Sequence, residues 1–102
     1  MTQDRARLGL EALRQKRNEI LRIAQAHGAR NVRVFGSVAR GEERLDSDLY
    51  FLVDLKPRRN LLDLGNLVMD LQDLLGRRVD VVKPEGLHWY VRDRVLKQAV
   101  SL

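Results

Sequence analysis

The residues of this sequence best placed to do chemistry are a glycine–serine pair where one apolar run stops and single acids set into two later runs. Asn31-Val32-Arg33-Val34-Phe35 is short, β-branched and aromatic, and it breaks off at Gly36-Ser37, as a buried strand does on entering a tight turn. Gly36 has no side chain to keep a phosphate away, and the first free N–H groups of a helix starting there would point at it. Ser37 can donate its hydroxyl to the same oxygen, or it can cap the helix that follows. Alternation from Asp48 to Val53 or Asp54 sets Leu49, Phe51 and Val53 on a core face and Asp48, Tyr50, Leu52 and Asp54 on the other. Asp80, between Val79 and Val81, repeats the isolated acid. On adjacent strands, Asp48 and Asp80 could give hard oxygen ligands to Mg²⁺, which takes one or two carboxylates together with phosphates and water. That is phosphoryl-transfer chemistry. The other assignment, Asp48 capping a turn and Asp80 facing solvent at a strand edge, stays open on these residues alone.

The elements that must position these groups follow from periodicity. Good helix formers run from about Asp4 to His27, with Leu10, Leu13, Ile20, Leu21 and Ala24 near helical spacing and Gly28 as a left-handed stop. A strand over residues 31–35, a short helix from Ser37 to Arg40 closed by Gly41, and a polar loop to Ser47 come next. The strand from Asp48 ends by Pro57, and Asn60 or Asp63 can cap a helix striped by Leu64, Leu67, Val68, Leu71, Leu74 and Leu75, with Gly76 past its end. Residues 78–82 read as a third strand. After Pro84, four-residue steps through Leu87, Val91, Val95, Ala99 and Leu102 predict a closing helix packed by one face. The order calls for a layered α/β (α+β) domain, and the short link between the first two strands allows antiparallel pairing, hence a mixed sheet.

Composition sets the class. Within 102 residues there is room for one domain spanning 1–102, and 44% apolar against 32% charged residues is the balance of a folded, soluble chain. The absence of cysteine removes disulfides, thiolate metal sites and thiol nucleophiles, in keeping with a reducing cytoplasm. The first residues carry no signal-peptide core, and no apolar run spans a bilayer, so a cytoplasmic protein with no membrane role is expected. A net charge of +5 suits nucleotide phosphates, an acidic protein or nucleic acid. Nucleic acid is the weakest of these, because five aromatics in all give little base-stacking surface. His27 reads as a helix end and His88 as surface packing; Trp89 and Tyr90 beside it could form an apolar contact surface, although such a pair near a terminus is more often core, and none is a site candidate.

Taken together, Gly36-Ser37-Val38-Ala39-Arg40-Gly41 and, with ten residues between Ser37 and Asp48, the stretch Asp48-Leu49-Tyr50 resemble the Gly-Ser and Asp-x-Asp signature of DNA polymerase-β-like nucleotidyltransferases. Gly76-Arg77-Arg78-Val79-Asp80-Val81-Val82 and the last helix are similar to the minimal nucleotidyltransferase (MNT) subgroup in particular, over nearly the whole chain. The resemblance implies the polymerase-β-like fold, a nucleotide triphosphate such as ATP held by Gly36, Ser37 and Arg40, and Mg²⁺ on the catalytic carboxylates Asp48 and Asp80. It implies a reaction in which an acceptor hydroxyl attacks the α-phosphate and pyrophosphate leaves. It also implies an antitoxin, MntA-type, whose partner is an all-helical HEPN toxin, acting by binding or by modifying that toxin; oligomeric state is left open. One position departs: Tyr50 stands where the family has its second Asp. A neutral phenol is a poor replacement for a carboxylate bridging two Mg²⁺ ions, so impaired transfer is expected. Asp46-Ser47-Asp48 offers an alternative Asp-x-Asp frame two residues earlier, and Asp54 lies too far along the strand to join the site.

Overall fold

A computed structural model describes residues 9–42, 44 and 47–102. The N-terminal helical stretch is two helices, α1 (Leu10–Gln15) and α2 (Arg17–Ala26), because Lys16 leaves helical geometry and its N–H turns back to Leu13. The expected start at Asp4 lies outside the described residues. Gly28 takes φ +77°, where only glycine is at ease, and β1 (Ala29–Phe35) follows at once. It starts two residues earlier than expected and carries a register irregularity between Arg30 and Arg33, with Asn31 at φ +54°.

The short helix α3 (Ser37–Arg40), β2 (Leu49–Leu55), α4 (Leu61–Leu75) and β3 (Val79–Val82) come in the expected order. At the start of α4 both cap candidates are used: the Asn60 side chain accepts from the N–H groups of Leu62 and Asp63, while the Asp63 carboxylate accepts from that of Asn60. Gly76 ends the helix in the left-handed conformation.

The closing segment departs from the sequence reading. A 3₁₀ turn at Pro84–Gly86 precedes α5 (Trp89–Gln98), and the chain turns extended at Ala99 to form β4 (Val100–Ser101) against β1. Leu102 is therefore not the last residue of a helical stripe; its N–H bonds to the Val32 carbonyl instead. The physical reason is the open side of β1, whose unpaired groups attract the β-branched Val100 more strongly than another half-turn of helix would. The sheet order is β3-β2-β1-β4, with β1 antiparallel to β2 and β4, and β2 parallel to β3. This is the expected mixed sheet.

The helices supply Leu13, Ile20, Ala24, Leu64, Leu67, Leu71 and Leu75 to one core, and the strands meet them with Val32, Val34, Leu49, Phe51, Val53, Val79 and Val81. Each such side chain, taken out of water, contributes about 1.5–3 kcal/mol, which is why the alternation of β2 cannot slip by one residue. Leu52, on the opposite face, is fully buried as well, so that face is partly covered. Trp89 and Tyr90 are not core: they are 73% and 62% exposed, grouped with His88 at the start of α5, where Val95 is the buried residue.

Candidate active site

The pairing of the strands decides which of the candidate residues meet. The end of β1 lies beside the beginning of β2, and β3 begins beside β2, so the Gly36-Ser37 turn, Asp48 and Asp80 share one end of the sheet. Phe35 pairs with Tyr50 and Tyr50 with Asp80, which sets these three side chains in one row on the face away from the main core. Asp48 lies two residues before Tyr50, a diagonal neighbour of Asp80 at about 8 Å between Cα atoms from ordinary strand spacing and rise.

Gly36 has φ +85° and ψ −155°, a region open to glycine and to almost nothing else. A Cβ placed on it would stand 3.1 Å from Cδ2 of Tyr50, so the phenol ring lies against the bare backbone of the turn. The ring also packs on Phe35, with centroids 5.5 Å apart. Ser37 is the first residue of α3 and Gly36 its N-cap, so of the two roles open to Ser37 capping is not used. Its carbonyl accepts from the N–H of Glu42 at 2.8 Å, which folds the chain back behind the turn.

Three arginines surround this end of the sheet, each differently engaged. Arg40 pairs with Glu42 at 2.9 Å on the surface. Arg77 donates to the carbonyls of Arg44 and Ser47, which ties down the loop that delivers Asp48. Arg78 pairs with Asp48, Nε to Oδ1 at 3.1 Å, while 80% of its own side chain is in solvent; Asp48 is 35% exposed. The strands are locked beneath that pair by the Leu49 N–H, which donates to the Arg78 carbonyl at 2.9 Å.

Asp48 and Asp80 are the residues here that could hold Mg²⁺. They do not fit a bridged pair of ions: the position between them carries the Tyr50 ring, Asp48 already carries a guanidinium, and among the described residues no three acidic, histidine or cysteine side chains converge. Asp46, and with it the earlier Asp-x-Asp frame, lies outside the described residues. Asp80 is exposed on an edge strand. Asp54 is used elsewhere, paired with Arg33 at 3.0 Å and with the Asn31 amide at 3.0 Å. A cleft of about 330 Å³ between α2 and the start of β1, lined by Leu21, Ala29, Arg30, Val32 and Lys56, lies toward the other end of the sheet.

Arg77 and Arg78 were not singled out from sequence as functional. A basic pair before a strand is usually a solvated surface, and the partners of Arg78 and Arg77 lie 30 or more residues away, so the strand register had to be known first.

Comparison with known proteins bears on the family and the fold. Residues 13–102 match the family model of the nucleotidyltransferase domain. A Methanocaldococcus jannaschii protein assigned as a protein adenylyltransferase is 36% identical over 86 residues, covering 84% of this chain and 92% of that one. The protein adenylyltransferase MntA of Thermococcus cleftensis is 38% identical over 78 residues, covering 76% and 79%. Among solved structures, a minimal nucleotidyltransferase superposes with a TM-score of 0.83 at 50% identity, covering 92% of this chain and 96% of that one. The MNT antitoxin structure solved with a tri-AMPylated Shewanella oneidensis HEPN toxin gives a TM-score of 0.66 at 17% identity, covering 86% and 69%, a likeness of fold.

Proposed function

Because this chain belongs to the nucleotidyltransferase domain family, and to its MNT branch, we propose that it is the antitoxin of a HEPN/MNT toxin–antitoxin pair in which nucleotidyl transfer is impaired at Tyr50. The antitoxin role is supported by the adenylyltransferase relatives and by the pairing of an MNT antitoxin with an AMPylated HEPN toxin in a protein of the same fold.

In this reading the bare Gly36 backbone and the Ser37 hydroxyl receive the phosphates of ATP or another nucleoside triphosphate, and Arg40 stands at the edge of the same turn. Asp48 and Asp80 flank the reacting phosphate and can hold at most a single Mg²⁺ brought with the nucleotide. The observation that carries the reading is the row Phe35, Tyr50, Asp80, with the Tyr50 ring against Gly36. A phenol there, with one oxygen in place of the two of a carboxylate, neither bridges two cations nor serves as a base for an acceptor proton. Binding of nucleotide and of the toxin needs neither property.

A second reading, a partner-binding module with no transfer at all, is favoured by the exposed Trp89 and Tyr90, a residue pair of the kind that anchors protein interfaces. Transfer of label from α-labelled ATP to a co-expressed HEPN partner distinguishes the two. Weak transfer by the unaltered chain, raised at least tenfold in Tyr50→Asp, supports an impaired transferase. Full transfer by the unaltered chain overturns the assignment of Tyr50, and silence from both folded proteins supports the binding module.

A further inference from the structure

We infer that Arg78 takes the electrostatic role that a divalent cation has in a three-carboxylate site, so that this site binds a nucleoside triphosphate without needing Mg²⁺. The inference rests on the nucleotide-binding reading of the Gly36-Ser37 turn and concerns how that same site is neutralised.

Charge is the starting point. A site with three carboxylates repels a triphosphate until cations enter, whereas Tyr50 removes one of those charges, and Arg78 sits on a second at 3.1 Å. Of the site carboxylates, Asp80 and the Asp48 of a neutral Asp48–Arg78 pair remain among the described residues. Of the other two arginines, Arg40 pairs with Glu42, also on the surface, and Arg77 donates to the carbonyls of the loop. Arg78 alone of the three touches a site carboxylate.

Its geometry suits the role. The backbone of Arg78 is fixed by the hydrogen bond from Leu49, immediately before β3, while four-fifths of its side chain is in solvent. The pair with Asp48 is made through Nε, and the forked hydrogen bonds that match phosphate oxygens are the work of the terminal guanidinium nitrogens. The pair with Asp48 is exposed and therefore cheap to rearrange. A guanidinium carries one charge against the two of Mg²⁺, but it has one carboxylate fewer to offset.

Calorimetric titration with ATP, in EDTA and then in excess Mg²⁺, tests this on the full chain. The unaltered protein is expected to bind with similar affinity in both buffers, within about threefold. Arg78→Ala should weaken binding in EDTA by about tenfold, the loss expected for one charge-assisted contact, and Arg78→Lys should fall between, because an ammonium lacks the planar fork. Tyr50→Asp should bind well only with Mg²⁺. Circular dichroism confirms that each variant is folded. Loss of binding by the unaltered chain in EDTA, or an Arg78→Ala variant that binds as well as its parent there, overturns the inference and leaves nucleotide binding standing. No binding in either buffer overturns the nucleotide-binding reading as well.

Discussion

Gly36 is the residue on which the candidate site depends most narrowly. Its φ of +85° with ψ near −155° is closed to other residues, and the Tyr50 ring stands where a methyl group would go. Gly36→Ala should therefore cost about 1–3 kcal/mol from the backbone alone, seen as a fall in Tm of several degrees for a chain of this size. An unchanged Tm would show that the turn is not held in this conformation. The Gly-Ser pair and the two acids were legible in the sequence because each is an interruption of an apolar pattern. The position of Tyr50 was legible for the same reason, through alternation along β2. The pairing of Arg78 with Asp48 was not, since residues 30 apart in the chain meet only once β2 and β3 are in register.

Among the elements, α4 is the one whose ends are written most clearly in local chemistry. The reciprocal bonds of Asn60 and Asp63 satisfy backbone N–H groups that the first turn of a helix leaves unpaired. Asn60→Ala should destabilise the protein by about 1 kcal/mol in urea unfolding. The carboxyl of Asp63 is held below its ordinary 3.8, first by the backbone N–H of Asn60 and then by Arg59. A carboxyl lowered on folding stabilises the protein above its unfolded pKa, and this is lost as pH falls through the lower folded value. Asp63→Asn should thus be less stable than its parent at neutral pH, with the difference shrinking below pH 3.8; a constant difference would mean that the carboxylate charge plays no part. The last helix was misread beyond Ala99, because spacing of four residues cannot register the free edge of β1 that draws Val100 into a strand. The break at Lys16 has no proline or glycine to announce it.

At the scale of the whole molecule, one face of a mixed sheet is sealed by α1, α2 and α4, and the other carries the candidate site at one end. Leu67, fully buried in that core, should cost about 2–5 kcal/mol on truncation to Ala. Trp89→Ala, at a side chain 73% exposed, should change stability by no more than about 0.5 kcal/mol, while weakening any complex that uses the aromatic group at the start of α5. The size of those rings made them look like core in the sequence; the single buried position of α5, Val95, leaves them outside. The mixed sheet and the order of its first three strands were legible because each apolar run is bounded by Gly, Pro or polar residues.

Tyr50 is the residue proposed to separate this site from a two-ion centre. Binding of Mn²⁺, as a spectroscopic stand-in for Mg²⁺, can be followed by paramagnetic resonance in the presence of a non-hydrolysable ATP analogue, for the unaltered chain and for Tyr50→Asp. At most one weakly held ion is expected in the unaltered chain, and two spin-coupled ions in the variant. Two coupled ions in the unaltered chain would contradict the role proposed for Tyr50.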